Sequence, residues 1–381
     1  MGKPLKVGII GAGILGTAHA EALQEEDRAQ LVAVADKIID RAHSLAGRYG
    51  ANAYEGAQEM VDGEDLDVAV IATPDPFHKD PFTTCAEAGV GVILCEKPLA
   101  TNIRDAEEMM NLAEKRGVRV FVDFENRFAR ADMATRYLIQ NGLIGEPVYA
   151  DMQLDDNISV PTMLWGERSR DWAAGTSTAH FLMSHTVDLV RWYFEPAKVE
   201  KVFAICQRRV LKYTPDLYEA LLLLSNGVKV RLKSEWIRHM DDLVEFSQYV
   251  GGSKGGVFYH KRRGFNKSVG WKANLSGDLS LEDLRRVQRK LEDHGIKAAI
   301  GLEPDHSRGG EGWRPTMRIE EEGAKNLSGW PYFIDAILEG SDSPERWKEF
   351  GTLPTGRDGY ESVRVVCAII ASSESCRTIS L

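Results

Sequence analysis

Lys6-Val7-Gly8-Ile9-Ile10-Gly11-Ala12-Gly13-Ile14-Leu15-Gly16 is the stretch whose reading decides the fold. A β-branched apolar run ends in G-x-G-x-x-G, and a helical pattern follows from Thr17, so the glycines lie on a strand-to-helix turn. There the first glycine makes the turn, the second lets backbone approach a pyrophosphate, and the third packs helix against strand. The unpaired N–H groups and positive end of the helix then attract phosphate. Asp36 stands 20 residues after Gly16, at the end of the next apolar run, where a carboxylate accepts hydrogen bonds from a ribose 2′-hydroxyl. These features predict a dinucleotide site built from Gly11, Gly13, Ile14, Leu15, Gly16 and Asp36. Asp36 repels a 2′-phosphate, which favours NAD; the neighbouring Lys37 softens that repulsion, so NADP is the lesser expectation.

Working outward, residues 31–35, 67–72, 90–95 and 118–121 repeat the short apolar run, with helical stretches at 17–25, 41–48, 78–88 and 103–115. Nearly continuous apolar strands alternating with helices imply a parallel sheet covered on both faces. The fold class is therefore α/β, with a doubly wound Rossmann domain over residues 1–125. From about residue 146 the rhythm changes to longer strands at 147–155, 199–207, 217–224, 228–236 and 244–250. Asn226-Gly227 between two of them predicts a type I′ hairpin with positive φ at both positions. Residues 126–381 thus read as an α+β domain with a mostly antiparallel open sheet, used for substrate binding and oligomerisation. It carries an insertion at about 251–327 that is rich in Gly, Lys and Arg and holds one amphipathic helix at 281–291, and helices follow at 330–338 and 359–371.

Composition narrows the function. Of 381 residues, 43% are hydrophobic and 27% charged, which suits a folded globular chain. The net charge of -10 repels phosphate backbones and anionic membranes, so neither nucleic acid nor membrane is expected as a partner. Cys85, Cys95, Cys206, Cys367 and Cys376 are odd in number and widely spaced, which predicts mostly buried thiols in a reducing compartment. With a strand pattern directly at the start, the expected location is cytoplasmic.

The fourth apolar run ends in Cys95-Glu96-Lys97-Pro98, at the carboxyl edge of the sheet where doubly wound folds bind ligands, so Lys97 is expected near the nicotinamide end. A lysine close to a positive nicotinamide has its pKa lowered and is suited to accept the hydroxyl proton released as hydride leaves a carbinol carbon. With Gly11 to His19, Thr73-Pro74 and His78, Glu96-Lys97-Pro98, Asn126-Arg127-Phe128 and the stretch from Phe333 to Gly340, the chain resembles the glucose-fructose oxidoreductase and inositol dehydrogenase family, Gfo/Idh/MocA. The resemblance covers most of the chain. It implies that Lys97 sits between nicotinamide and substrate, and that Thr73, Pro74, His78, Glu96, Lys97 and Asn126 belong to the cofactor site.

The second-domain segment from Gly175 to Asp188 is similar to the family's Asp-x-x-x-His stretch, which puts His185 in the catalytic role and Asp188 one turn on. Phe181 stands where many members have aspartate, leaving His185 as the best proton acceptor. Lys97 and His185 are thus the catalytic candidates. Lys97, Asn157, Trp165, Arg168, His180 and His185 are the substrate-binding candidates, with Asp155 and Asp156 beside them. Lys261-Arg262-Arg263 reads as a surface cluster. No H-E-x-x-H or C-x-x-C pattern supports a metal site. The expected activity is an NAD(P)-dependent dehydrogenase transferring hydride between a sugar, polyol or sugar-derivative hydroxyl and nicotinamide. Two alternatives stay open, an NAD-dependent glycosidase of the same family and a non-catalytic nucleotide-binding regulator. Apolar residues in 220–224 and 228–232 exceed what one active-site face uses, which predicts a homodimer or homotetramer.

Overall fold

The structure, a computed structural model, describes residues 3–166, 168–261, 268–306, 312–319 and 328–381. Contacts group the chain into two units, Met1–Glu125 with Ser328–Cys367, and Asn126–Leu327 with Ala368–Leu381.

In the first unit, β1 (Leu5–Ile10), β2 (Ala29–Ala35), β3 (Asn52–Tyr54), β4 (Val68–Ile71), β5 (Val92–Glu96) and β6 (Arg119–Asp123) form one sheet. Its order is β3-β2-β1-β4-β5-β6, and every neighbouring pair is parallel. Val7, Ile9, Val34, Val70 and Ile93 have no exposed surface, the consequence of helices on both faces, and this is why the strands read as unbroken apolar runs. The strand order turns back between β1 and β4, which puts a binding crevice outside the carboxyl ends of these strands. β3 and the helix Ala57–Gly63 have no counterpart in the sequence reading, because Asn-Ala-Tyr is too short and polar to show a pattern.

The segment Ser328–Cys367 also groups with this unit, although the sequence reading assigned it to the second domain. Arg28 Nη1 donates to Asp335 Oδ1 at 2.6 Å and Arg119 Nη1 to the Ala336 carbonyl at 2.9 Å. Phe333 lies 5.4 Å from Phe121, ring to ring. These partners are 307, 217 and more than 200 positions apart along the chain, a separation that local pattern cannot reveal.

In the second unit, β7 (Pro147–Asn157), β8 (Val199–Gln207), β9 (Leu217–Leu224), β10 (Lys229–Arg238), β11 (Val244–Gly252), β12 (Gly256–Lys261), β13 (Ser268–Asn274), β14 (Ala298–Pro304), β15 (Trp313–Ile319) and β16 (Ile379–Ser380) make a second sheet. Its order is β14-β15-β13-β12-β11-β7-β10-β9-β8-β16; the pair β7–β10 is parallel and the others are antiparallel. Side chains alternate as a half-buried sheet requires: Ala150, Met152 and Leu154 are buried, and Tyr149, Asp151 and Gln153 between them are half-exposed.

The β9–β10 hairpin forms, but its turn differs from type I′. Gly227 has φ 85° and Asn226 is not in the positive region. Gly227 N–H donates to the Leu224 carbonyl and Leu224 N–H to the Val228 carbonyl, both at 2.9 Å, so three residues, Ser225 to Gly227, form the loop. This is the next commonest hairpin design, a tight turn followed by one left-handed glycine. The described part of the insertion elaborates the second sheet itself: β12 to β15 continue it beyond β11. Ser280 and Asp283 form a capping box at the start of the helix Leu281–Asp293, whose Leu284, Val287 and Leu291 are buried. Arg262 and Arg263 lie outside the described residues.

All five cysteines are free; Cys85 and Cys95 are buried, Cys367 is half-buried, and Cys206 and Cys376 are exposed, so fewer thiols are hidden than expected. Burial pushes the Cys85 thiol up to about 12. Among the described residues no helix is long and apolar enough to cross a membrane.

Candidate active site

The glycine turn has the three properties its motif implies. Gly11 has φ +104°, and a Cβ there would sit 2.4 Å from the Ala72 carbonyl oxygen. At Gly16 a Cβ would meet the Gly11 carbonyl oxygen at 1.8 Å, so only glycine lets the helix Ile14–Leu23 rest on β1. At Gly13 a Cβ would meet nothing within 4 Å, which leaves open space where a phosphate can approach backbone. No side chain caps this helix, so its first N–H groups are not taken by a capping residue. Ile14 and Leu15 are 58% and 40% exposed, apolar surface beside the turn that a bound dinucleotide would cover.

Asp36 accepts the Ala12 N–H at 2.9 Å on Oδ2 and the Ile38 N–H at 2.8 Å on Oδ1. It therefore ties the glycine turn to the end of β2, and each oxygen keeps a lone pair for a ribose hydroxyl. Lys37 lies over the Phe77 ring at 5.6 Å. Thr73 Oγ1 donates to the Phe77 carbonyl at 3.0 Å, and Pro74 opens the short turn Asp75–Phe77. The buried His78 ring spans the Pro98 carbonyl (2.8 Å) and the Thr73 carbonyl (2.9 Å), so it fastens the loops after β4 and β5 to each other.

Lys97 follows β5 directly, is 6% exposed, and precedes a cis peptide to Pro98. Its N–H donates to Glu96 Oε2 at 3.2 Å. Around Glu96 gathers a group that the sequence reading did not assemble. His19 Nε2 is 3.1 Å from Glu96 Oε1 and 3.6 Å from Asp123 Oδ2, and Trp330 Nε1 donates to His19 Nδ1 at 3.2 Å. The parallel register of β5 and β6 sets Glu96 beside Asp123. Only the histidine of the glycine motif hinted at this; Asp123, Glu125 and Trp330 carried no signal.

These acids do not share one charge state. Burial works against the Glu96 charge, but the hydrogen bond with His19 and the Lys97 cation outweigh it and hold the carboxyl below its usual range. Burial and then the Glu96 charge push Asp123 up to about 7, although 17% of its side chain reaches solvent. Burial, with Asp123 and Glu96 adding to it, pushes Glu125 up to about 8 against the pull of Lys97. Burial also opposes a charge on His19, while its acidic neighbours more than offset this and push its pKa up; the Trp330 indole N–H at Nδ1 works against that push. The indole decides the tautomer: an indole N–H only donates, so Nδ1 keeps its lone pair and the proton sits on Nε2. His19, Glu96 and Asp123 bring three ligand-type atoms within 4.8 Å of one another, but a metal would need the Nε2 lone pair that this proton occupies.

In the second unit the chain passes through a single π turn, Ala179–Met183, before the helix Ser184–Tyr193. The sequence reading assumed ordinary helical spacing here; π turns are rare and concentrate at functional sites. His185 is 3% exposed, and Asn126 Nδ2 lies 3.0 Å from its Nδ1. Asn126, expected at the cofactor, thus meets the candidate catalytic histidine. An amide nitrogen only donates, so in this orientation His185 carries its proton on Nε2 and presents a donor; turning the amide over makes Nε2 an acceptor. Asp188 is held by Arg127 through Nε at 2.8 Å and Nη2 at 2.5 Å, a buried bidentate pair.

Phe181 packs against Trp172 (4.8 Å, edge-on) and Trp236 (6.2 Å), and Trp165 against Trp172 (4.4 Å). Trp165, Trp172 and Phe181 are each partly exposed, so the position of the family aspartate is here part of an aromatic wall. His180 Nδ1 pairs with Ser177 Oγ at 3.1 Å. Arg168 is exposed at the start of the helix Arg168–Ala174. Asn157 uses its amide on backbone, donating to the Met240 carbonyl at 2.6 Å and accepting from Ser159 N–H at 3.0 Å. Asp155 pairs with Lys233 (2.9 Å) and Arg238 (2.5 Å), and Asp156 accepts from Trp236 Nε1 at 3.1 Å, so these two acids are engaged within the sheet.

Comparison with known proteins agrees with this construction. Residues 5–124 match the model of an oxidoreductase family with an NAD-binding Rossmann fold, and residues 133–258 match the Gfo/Idh/MocA C-terminal domain. The inositol 2-dehydrogenase of Acidothermus cellulolyticus is 32% identical over 58% of this chain and 62% of its own length. That of Rubrobacter xylanophilus is 26% identical over 97% of this chain and 91% of its own. The WlbA dehydrogenase of Bordetella pertussis, solved with NADH and UDP-GlcNAcA, shares the fold with a TM-score of 0.72 at 21% identity, covering 100% of this chain and 99% of that one. The chain belongs to the Gfo/Idh/MocA family of oxidoreductases.

Proposed function

We propose that this chain is an NAD-dependent dehydrogenase that oxidises a CH–OH group of a sugar, polyol or sugar derivative. The carrying observation is Lys97, buried at the carboxyl end of β5 in a sheet whose glycine turn is open at Gly13. NAD, when bound, supplies the hydride acceptor. The residues of the chain handle everything else about the carbinol: they hold the hydroxyl, take its proton and keep water away. Lys97 and His185 are the proton carriers, His185 as an acceptor when the Asn126 amide presents its oxygen to Nδ1 and as a donor to the substrate oxygen in the orientation described above. The inositol 2-dehydrogenases among the relatives support the substrate class. Asp36 supports NAD over NADP.

The test is NADH formation over polyols, aldoses, uronates and glycosides. Net NADH accumulating with a polyol or sugar supports the reading. Turnover of a glycoside without net NADH replaces it with nicotinamide-assisted glycoside cleavage, and NAD binding without turnover on any of them replaces it with a regulator.

We further propose that the chain assembles as a homo-oligomer through the open face of its second sheet. Phe203, Ile205, Leu221, Tyr249 and Phe258 are each 40–55% exposed, and they alternate with the buried Val202, Ala204, Leu222, Val250 and Val257. Strands β12 to β15 of the insertion extend that sheet at its edge, and these five side chains stay exposed. Sedimentation at micromolar protein is expected to show a dimer or tetramer, and a 42.4 kDa monomer overturns this proposal.

A further inference from the structure

The indole of Trp330 lies against the His19 ring at 89° and 6.0 Å between centroids, with Nε1 3.2 Å from Nδ1. Trp330 is 3% exposed and is the first residue of the helix Trp330–Glu339, which Arg28 anchors through Asp335. His19 is 5% exposed. From the other side it faces Glu96 at the end of β5 and Asp123 at the end of β6, with Glu125 just beyond. Glu96 in turn feels Lys97 and His78. Glu96 is thus clamped on one oxygen by His19 and on the other by the Lys97 N–H.

We propose that Trp330 is a positioning residue, holding His19 as a neutral Nε2–H donor so that Glu96 keeps one charge and one orientation behind Lys97. The reason lies in the donor inventory. A histidine ringed by carboxylates gains a second proton readily, and that proton belongs on Nδ1. The indole N–H occupies the approach to Nδ1 and offers no acceptor, so a proton there would oppose N–H to N–H. Without the indole, His19 becomes a cation, neutralises Glu96 and adds a positive charge beside Lys97. The effect on turnover rests on the reading of Lys97 as a proton carrier; the effect on His19 does not.

The experiment follows the ¹⁵N shifts of the histidine rings, with the His19 signal identified by its loss in His19→Gln, together with the pH dependence of kcat and KM. In the natural protein His19 is expected to keep a bare Nδ1 and a protonated Nε2 from pH 6 to 8. In Trp330→Phe both nitrogens take protons as pH falls. Its kcat then drops more steeply than that of the natural protein, by up to about tenfold per pH unit for one ionisation, while KM and NAD binding hold. In Trp330→Phe/His19→Gln the extra pH dependence disappears, because an amide cannot take the charge. An unchanged His19 spectrum in Trp330→Phe, or an extra pH dependence that persists in the double variant, overturns the proposal. If Trp330→Phe does not fold, a doubly protonated His19 in the natural protein at any pH from 6 to 8 does so by itself. Should Lys97→Met retain turnover, the proton-carrier reading falls while the spectra still decide the role of Trp330.

Discussion

The strand ends of the first unit and the helix start of the second each bury a histidine whose Nδ1 meets a neutral N–H, at His19 from Trp330 and at His185 from Asn126. The surroundings then diverge. His19 points its other nitrogen at Glu96 and Asp123, whereas His185 lies in the first turn of the helix that follows the π turn carrying Phe181. The partner on Nδ1 makes the deeper difference. An indole can only donate, so it locks one tautomer; a primary amide can turn over and offer oxygen, so it permits both. A histidine that exchanges protons with substrate needs the second arrangement, and one that fixes a neighbouring carboxylate is better served by the first.

The strongest way to break this contrast is to remove each ring. His185→Ala is expected to lower kcat by about 10²- to 10⁴-fold with NAD binding intact, the range typical of a lost general acid or base. His19→Gln keeps an N–H for Glu96, and its kcat is expected to stay within about tenfold of the natural protein. Steady-state kinetics on the best substrate decide the matter. Equal losses in the two variants would show that His19 also exchanges protons.

The second prediction separates two uses of an acid within the first unit. Asp36 is braced by two backbone N–H groups and keeps lone pairs for ribose, whereas Glu96 is braced toward Lys97. Charged hydrogen bonds contribute about 1.5–3 kcal/mol each, so Asp36→Ala is expected to weaken NAD roughly 10- to 100-fold. NADP should lose less or gain. Fluorescence titration of both cofactors tests this, and an equal loss for both would reduce Asp36 to a brace for the turn.

A smaller effect is expected at the aromatic wall. Phe181→Asp sets a carboxylate between Trp172 and Trp236, where a polar group without a partner costs about 1–3 kcal/mol. The variant should melt earlier and lose activity on its natural substrate. A variant with native stability and higher turnover would show that the family carboxylate still has a place here.

The contrast between the histidines was half legible. Gly11, Gly13, Gly16 and Asp36 could be placed because a strand, a turn and a helix follow one another within a few dozen residues, and each leaves a local pattern. His185 is a candidate through its resemblance to a family segment, and its hydrogen bond with Asn126, 59 positions away, leaves no local pattern. Trp330 was invisible in its role because its partner lies 311 positions earlier, and a tryptophan at a helix start reads as core. The strands of the insertion hid for a different reason. β12 to β15 are six or seven residues long against eight to ten for β8 to β11, and Gly256, Gly270, Gly301 and Pro315 interrupt their apolar runs, so they leave a weaker strand pattern. Asn157, a polar residue at a strand end expected at the substrate, has its amide engaged by backbone, a pairing that its sequence context does not show.

The last prediction uses the charge that separates the two settings, since the amide beside His185 is neutral at every pH and the acids beside His19 are not. In the folded chain Asp123 is raised from 3.8 to about 7, first by burial and then by Glu96. A carboxyl raised on folding keeps a proton that the unfolded chain has released, so the folded state binds more protons between those two values and stability falls as pH rises. The contribution is fully present below about pH 4 and is lost as pH climbs through 7; Glu125, raised to about 8, extends the loss upward. The cofactor-free protein is therefore expected to melt at a lower temperature at pH 8 than at pH 5. The difference attributable to Asp123 is roughly 5–11 °C, from about 1.4 kcal/mol per pH unit over the two units between pH 5 and 7 and about 2–4 °C per kcal/mol for domains of this size. Asp123→Asn removes one of the two titrations and should flatten the slope of Tm against pH while leaving that of Glu125. Calorimetry at pH 5, 6, 7 and 8 measures both slopes. A variant whose slope matches that of the natural protein would mean that Asp123 is ionised throughout, and that Glu96 and Asp123 hold two charges side by side around His19.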